Sequence, residues 1–416
     1  MRFALAFTVS LIVVGLSWGL SEQARVAAEL ERQNTEIKAQ NIRADQARRL
    51  AEKRAAFAGD AISKLTDEVD ANLRGVIGKA ANDARLRLLR SALDFLVGER
   101  DAFETVGERT LRSVEATINI ARVHRGLGDF EAARIEFRDA VHSARKALAD
   151  GPDPATAREL HREICRGLIG LGRIQVEIDG KTTEAEQSLE AAMGEARQCL
   201  STPPTETERL GLLYPILMKR SLVAQKEGKH GRSRDLALRA AELVRDMAEK
   251  EQSTTGMTLA RSALAGALAR AGAVSQADQK LGQAETELRE AEAILTALEK
   301  LRTLVRDDLL KLINVRVSLG AVYEKMTRVA KSRRHHLAAW RQAQSLSELD
   351  PENLEVREAL LSAGAAYAFS LEYHEDADEA LAVNRTIVSY AETFQKSGDS
   401  SARTRGRLAR SWIRIG

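Results

Sequence analysis

Residues Ile118–Val141 read INIARVHRGLGDFEAARIEFRDAV, and their spacing decides the fold. At helical period they give one apolar stripe (Ile120 and Val123, with Ala121 beside them), a break at Gly126-Leu127-Gly128, and a second stripe of Phe130, Ala133, Phe137, Ala140 and Val141. This is the pattern of two helices that meet across a glycine turn. Ala121, Ala133 and Ala140 are small where such helices cross closely, while Phe130 and Phe137 supply the bulk that fills the groove between them. One unit of this size cannot bury its own apolar face, so the chain must hold more of them.

Degraded copies follow. Leu171-Gly172, Gly180, Ala185, Leu189 and Ala192 repeat the pattern, and Gly228-Lys229-His230 with Ala237 and Ala240 repeats it again. Leu264 to Gly272 with Ala284, Leu288 and Ala291 makes a fourth pair. Leu319-Gly320 and Tyr323 open a fifth, closed by Trp340, Ala343 and the helix stop Asp350-Pro351. Ala363-Gly364 and Tyr367 open a sixth, with Ala380 on its second helix. Leu408 to Gly416 reads as the first helix of a seventh, its Leu408, Trp412 and Ile415 on one uncovered face. Such an end is expected to be either a truncation or a self-association surface. With small residues at the crossing, Gly-Asp-aromatic at the turn and Ala, a large residue and Ala beyond it, the unit resembles a tetratricopeptide repeat (TPR). The spacing, about 45 to 55 residues, exceeds the standard 34 and implies longer helices or looser links.

Composition agrees with an all-α reading. Six prolines in 416 residues, 44% hydrophobic residues, 30% charged and 4% aromatic suit long Ala- and Leu-rich helices, and no strand pattern appears. In a solenoid, length sets repeat number rather than domain count. The net charge of +3, from 63 basic and 60 acidic residues, gives no reason to expect nucleic acid. Cys165 and Cys199 fall on opposite helices of the second unit and read as a buried thiol pair.

Phe3 to Leu20, FALAFTVSLIVVGLSWGL, is uncharged. As a helix of about 27 Å it just reaches across a hydrocarbon core of roughly 30 Å. The expectation is a single-pass membrane anchor at residues 1–20, with Trp18 at the interface and a charged helical pattern resuming at Ser21. The rival is a cleaved secretory signal with Arg2 as its basic start and Ser17-Trp18-Gly19 at the cut, giving a secreted or periplasmic protein. Charge counting does not orient the span.

Residues 21–65 form a charged helical stalk. Leu30, Ile37, Ala44, Ala51, Ala58 and Leu65 recur every seven, and Ala27, Asn34, Asn41, Arg48, Ala55 and Ile62 form a second row. This is either a weak coiled-coil seam that supports a homodimer or a lone solvated helix. Residues 66–110 hold a capping helix with Leu86, Leu88, Leu89, Ala92, Leu93, Phe95 and Leu96 as its apolar residues, and residues 111–416 hold the array. The order of apolar run, Ala/Arg/Glu-rich stalk, helix RLRLLRSALDFL and IARVHRGLGDFEAA-type repeats resembles the extracytoplasmic half of bacterial transmembrane serine/threonine kinases that carry TPR arrays. That resemblance implies sensing or scaffolding. The kinase half of such proteins precedes the span, where only Met1 and Arg2 stand here.

Chemistry finds little purchase. Asp179-Gly180-Lys181-Thr182 ends like a phosphate-binding loop, but Gln175 occupies its first glycine position and a helix its strand, so it reads as a repeat turn. Adjacent His335 and His336 diverge around a helix, and His374-Glu375-Asp376 reads as a charged loop. No nucleophile elbow exists, and neither cysteine has an identifiable base. Arg403, Arg405, Arg407, Arg410 and Arg414 read as a solvated helix face. The expectation is therefore a non-enzyme with no catalytic residue, cofactor or metal.

What remains is binding. In TPR arrays the first helices line a concave groove, which here implies Ile118, Arg122 and Arg125 in the first unit and Val317, Ala321 and Glu324 in the fifth. Carboxylate-clamp TPR domains want Lys and Asn where Ile118 and Arg122 stand, so that specialisation is not expected. The reading is a membrane-anchored scaffold for a protein partner. Its alternatives are a secreted TPR protein, or the regulatory part of a kinase encoded upstream.

Overall fold

Long runs of Ala, Leu, Glu and Arg, broken at intervals by glycine, fold as helices joined by short turns. The computed structural model describes residues 79–105, 111–201, 206–250, 254–300, 306–351, 353–373 and 376–396, with residue 38 alone ahead of them. The readings at 3–20, 21–65 and 408–416 lie outside the described residues. Among those described there are thirteen helices and no strand. Helix α1 is Lys79–Thr105, and the rest pair as α2 Leu111–Leu127 with α3 Phe130–Ala149, and α4 Pro154–Glu177 with α5 Thr182–Cys199. The pairs α6 Glu206–Lys226 with α7 His230–Lys250 and α8 Thr254–Ala277 with α9 Leu281–Lys300 follow. The series ends with α10 Arg306–Lys325 and α11 Val329–Leu349, then α12 Leu354–Glu372 and α13 Ala377–Lys396. Members of 17 to 24 residues account for the long repeat spacing. No helix among the described residues is long and apolar enough to cross a membrane.

The turns set the period. Gly128, Gly180, Gly228, Gln279 and Thr327 all have positive φ (86°, 70°, 74°, 60° and 60°), and they recur every 48 to 52 residues along the numbering. At Gly128 the amide donates to the Arg125 carbonyl (3.1 Å) and the next amide, Asp129, to the His124 carbonyl (2.9 Å). This pair of bonds is a Schellman cap, which closes the orphan carbonyls of the first helix while the left-handed residue reverses the chain. The same pair recurs at Gly228, Gln279 and Thr327. At Gly180 the chain takes one more residue, and the Lys181 amide reaches the Gln175 carbonyl (2.8 Å). Side-chain caps start other helices: Asp129 accepts from the Ala132 amide (3.1 Å), Asp153 from Ala155 and Thr156 ahead of Pro154, and Asn353 from Glu355 and Val356.

Close crossings lock each pair. A methyl group added at Gly172 would lie 2.8 Å from Leu189 Cγ, one at Gly272 2.6 Å from Leu288 Cγ, and one at Gly320 2.5 Å from His336 Cε1. In the third pair the buried hydroxyls of Ser221 and Ser233 replace that contact, each donating to the other's backbone carbonyl (2.8 and 2.7 Å). Between pairs, Phe137 fills the space left by Gly170, and Trp340 the space left by Gly364. Overlapping apolar clusters run from α2 to α6, from α6 to α10 and from α10 to α13, so each pair buries its neighbour's exposed face.

Arginines near the start of second helices tie successive units: Arg134 to Asp179 (2.9 Å), Arg234 to Glu287 (2.6 Å) and Arg333 to Asp376 (2.9 Å). Helix α1 packs Leu89 and Leu96 on Ile120 and Val123 of α2. Leu88 and Phe95, read with them as one apolar helix, instead stand 42% and 38% exposed, because the α2 contact covers only one side of α1.

Candidate binding groove

Helices α2, α4, α6, α8, α10 and α12 form an inner row. Contacts join α2 to α4, α4 to α6, α8 to α10 and α10 to α12. Between α6 and α8 the Tyr214 hydroxyl donates to the Ala263 carbonyl (2.9 Å) and Arg270 Nη1 to Gln225 Oε1 (2.8 Å). One face of each first helix is thereby committed to the next first helix, and one to its own partner. The remaining face of each first helix lies on the same side of the array.

Ile118 does not reach that face. It is 1% exposed, sealed where Gly167 lets α4 approach α2: a methyl there would lie 3.1 Å from Ile118 Cδ1. Its place in a binding groove is corrected accordingly, since a side chain enclosed by α2 and α4 offers a partner nothing. Arg122 and Arg125 are half-buried, and Arg122 Nη1 donates to Asn119 Oδ1 (3.3 Å). In the fifth pair Val317 packs against the cluster shared with α12, and Ala321 is half-buried. Glu324 turns toward α11, its Oε2 3.9 Å from Nε2 of the buried His336. The six residues are thus placed in different surroundings, with Arg122, Arg125 and Ala321 partly open to solvent.

A polar stripe lies elsewhere. On α4 it comprises Glu159, Arg162, Arg166, Arg173 and Glu177, with Arg162 reaching Glu208 of α6 (2.6 Å). Glu177 accepts from Arg173 Nε (2.8 Å) and from the Lys219 ammonium of α6. Burial alone would raise the Glu177 carboxyl, but Lys219 and Arg173 hold it below its ordinary value. Burial likewise pushes the Tyr214 hydroxyl up to about 12.

At the other end, α10 and α12 enclose a cleft of about 560 Å³ lined by Asp307, Lys311, Asn314, Glu355, Glu358 and Ser362 among others. Lys311 is committed there to Asp308 (2.7 Å) and Ser262 (2.8 Å). This stripe was not legible as a site in the sequence, because the partners that meet across helices sit far apart along the chain, Arg162 and Glu208 by 46 residues and Glu177 and Lys219 by 42.

The remaining chemical candidates resolve into structure. Asp179 receives Arg134, Gly180 makes the left-handed turn and Thr182 opens α5, so that segment is a repeat turn. His335 stacks on Tyr323 at 5.3 Å and faces Glu292 (3.5 Å), whereas His336 points into the Gly320 crossing. Asp376 pairs with Arg333, while 374 and 375 lie outside the described residues. Cys165 and Cys199 are buried free thiols. Burial pushes the Cys165 thiol up to about 12, which leaves it protonated and unreactive.

No protein-family model matches the chain, and no curated protein matches it. Solved structures do. The apo form of RapI is similar at 12% identity with a TM-score of 0.52, over 85% of this chain and 86% of that one. BtubC (BKLC) from P. vanneervenii is similar at 17% identity and 0.44, over 63% and 92%. A signal-transduction ATPase with a tetratricopeptide repeat sensor from Pyrococcus horikoshii gives 11% and 0.43, over 79% and 50%. At such identities the RapI likeness is one of fold. With the paired helices, glycine crossings and repeated caps, it supports an α-solenoid of helix pairs for the described residues.

Proposed function

We propose that the chain is a non-catalytic scaffold that holds an extended segment of another protein against its first helices. The observation that carries this reading is the row of half-buried polar groups on successive first helices, Arg162 on α4, Lys219 on α6 and Arg270 on α8, together with the polar cleft between α10 and α12. Concave surfaces with a few convergent polar groups are where binding concentrates, and a repeat array offers such a surface over many residues. The tether is residues 3–20. What supports it is the order of apolar run, stalk and array, which resembles the receptor half of TPR-bearing kinases.

The test is photo-crosslinking in the producing cell, with a photoreactive residue at Arg166 or Asn314 on first helices and at Arg138 or Arg341 on second helices. The reading expects the first-helix positions to capture one common protein and the second-helix positions none. Capture from Arg138 and Arg341 alone would overturn it. Mass spectrometry of the mature N-terminus tests the tether, since a chain beginning beyond Gly19 would replace the anchor with a cleaved signal.

A further inference from the structure

Two cations, Arg173 and Lys219, bond one carboxylate, Glu177, in the groove, and a third, Arg270 on the next first helix, lies near enough to feel its charge. Arg173 and Glu177 belong to α4, Lys219 to α6 and Arg270 to α8. Arg173 Nε lies 2.8 Å from Glu177 Oε2, and Lys219 Nζ bonds the other oxygen, Oε1. Both carboxylate oxygens are therefore occupied. Arg270 is half-buried and spends Nη1 on the neutral Gln225 amide oxygen (2.8 Å), and among the described residues no carboxylate stands within ion-pair distance of it. The Lys219 and Glu177 side chains are 22% and 29% exposed, so water screens this charge less than it screens a surface pair. The nearby Asp308 does not balance the excess, since Lys311 holds it at 2.7 Å.

Desolvation leaves a mark on the cations. Burial first, then the proximity of Arg173 and Arg270, pulls the Lys219 ammonium below its ordinary value against the attraction of Glu177. Burial lowers Arg270 as well, although Glu177 and Tyr214 oppose it. Positive charge gathered at a partly dehydrated site without enough negative charge is a cost to the free protein that an incoming anion removes.

We propose that Arg173, Lys219 and Arg270 form an anion site for carboxylate side chains, so that the segment held in the groove is acidic where it crosses α4, α6 and α8. This rests on the groove reading above and adds the partner's chemistry to it. Glu177 acts as a resident competitor that a partner carboxylate displaces from part of the cluster, while Gln225 and the fixed Tyr214 hydroxyl frame Arg270.

The experiment measures fluorescein-labelled hexaglutamate binding to the full chain in nonionic detergent by anisotropy, with hexalysine in parallel. Arg270→Gln should raise the hexaglutamate Kd at least about fivefold, and Glu177→Gln, which removes the competitor, should lower it by a similar factor. Arg138→Gln on the outer helix α3 should leave it unchanged, and thermal melts confirm that each variant is folded. A gain of affinity in Glu177→Gln is an outcome that misfolding does not produce. If Arg270→Gln weakens hexaglutamate no more than Arg138→Gln does, or if Glu177→Gln fails to tighten it, the anion site is wrong. Should hexalysine still respond to Glu358→Gln in the α10–α12 cleft, the groove reading survives that loss. If neither peptide responds to any first-helix substitution, the groove reading falls too.

Discussion

Thr327→Gly should stabilise the protein. Thr327 holds φ at 60° in the third position of a Schellman cap that glycine fills at Gly128 and Gly228. A β-branched residue there costs about 1–3 kcal/mol of backbone strain. Against this, glycine enlarges the unfolded ensemble by about 0.4–1 kcal/mol. The exposed bond from Thr327 Oγ1 to the Met326 carbonyl (2.7 Å) is lost, at about 0.5 kcal/mol. With each contribution taken at mid-range, the balance is a gain of about 1 kcal/mol. The mirror change, Gly128→Thr, should lose a similar amount, and a clean one, because nothing lies within 4 Å of a Cβ placed at Gly128. Urea unfolding of the two variants beside the parent measures both signs through the midpoint. A destabilised Thr327→Gly together with a tolerated Gly128→Thr would refute the equivalence of these turns and the repeat period built on them.

Other outcomes follow from the packing and the charges. Phe137→Ala should cost about 3–5 kcal/mol in the same assay, since the ring is 1% exposed and fills the space over Gly170. Gly272→Ala should cost about 1–3 kcal/mol by driving a methyl into Leu288. Glu163 is 2% exposed, and burial raises its carboxyl above the ordinary value although Arg166 opposes this. A raised carboxyl binds more protons folded than unfolded, so its contribution is present at low pH and is lost as pH rises from about 4.5 through the folded pKa. Glu163→Gln should therefore raise the melting temperature relative to the parent at pH 7, with the advantage shrinking at pH 4; an advantage equal at both would contradict the assignment.

The repeated unit was legible because Gly128, Gly180 and Gly228 announce their turns and because Leu189, Leu288 and Trp340 are large where large residues belong. Gln279 and Thr327 were not, since their side chains give no sign that a left-handed conformation is imposed by the cap around them. His336 was read only for its chemistry, yet it serves as the bulky residue over Gly320. Ile118 was assigned to the groove by analogy with the repeat's register. The close approach at Gly167, one unit later, turned it into core. The Arg173–Glu177–Lys219–Arg270 cluster was invisible for a related reason: each member looks like an ordinary charged helix residue until neighbouring units stack.

The central claim, that the first helices carry the binding face, is tested most directly by zero-length carbodiimide coupling of hexaglutamate to the full chain. Mass spectrometry then maps which lysines carry the peptide. The account predicts links at Lys219 and Lys226 of α6, weakened in Arg270→Gln. Links confined to Lys146 of α3 and Lys331 of α11, on the second helices, would contradict it.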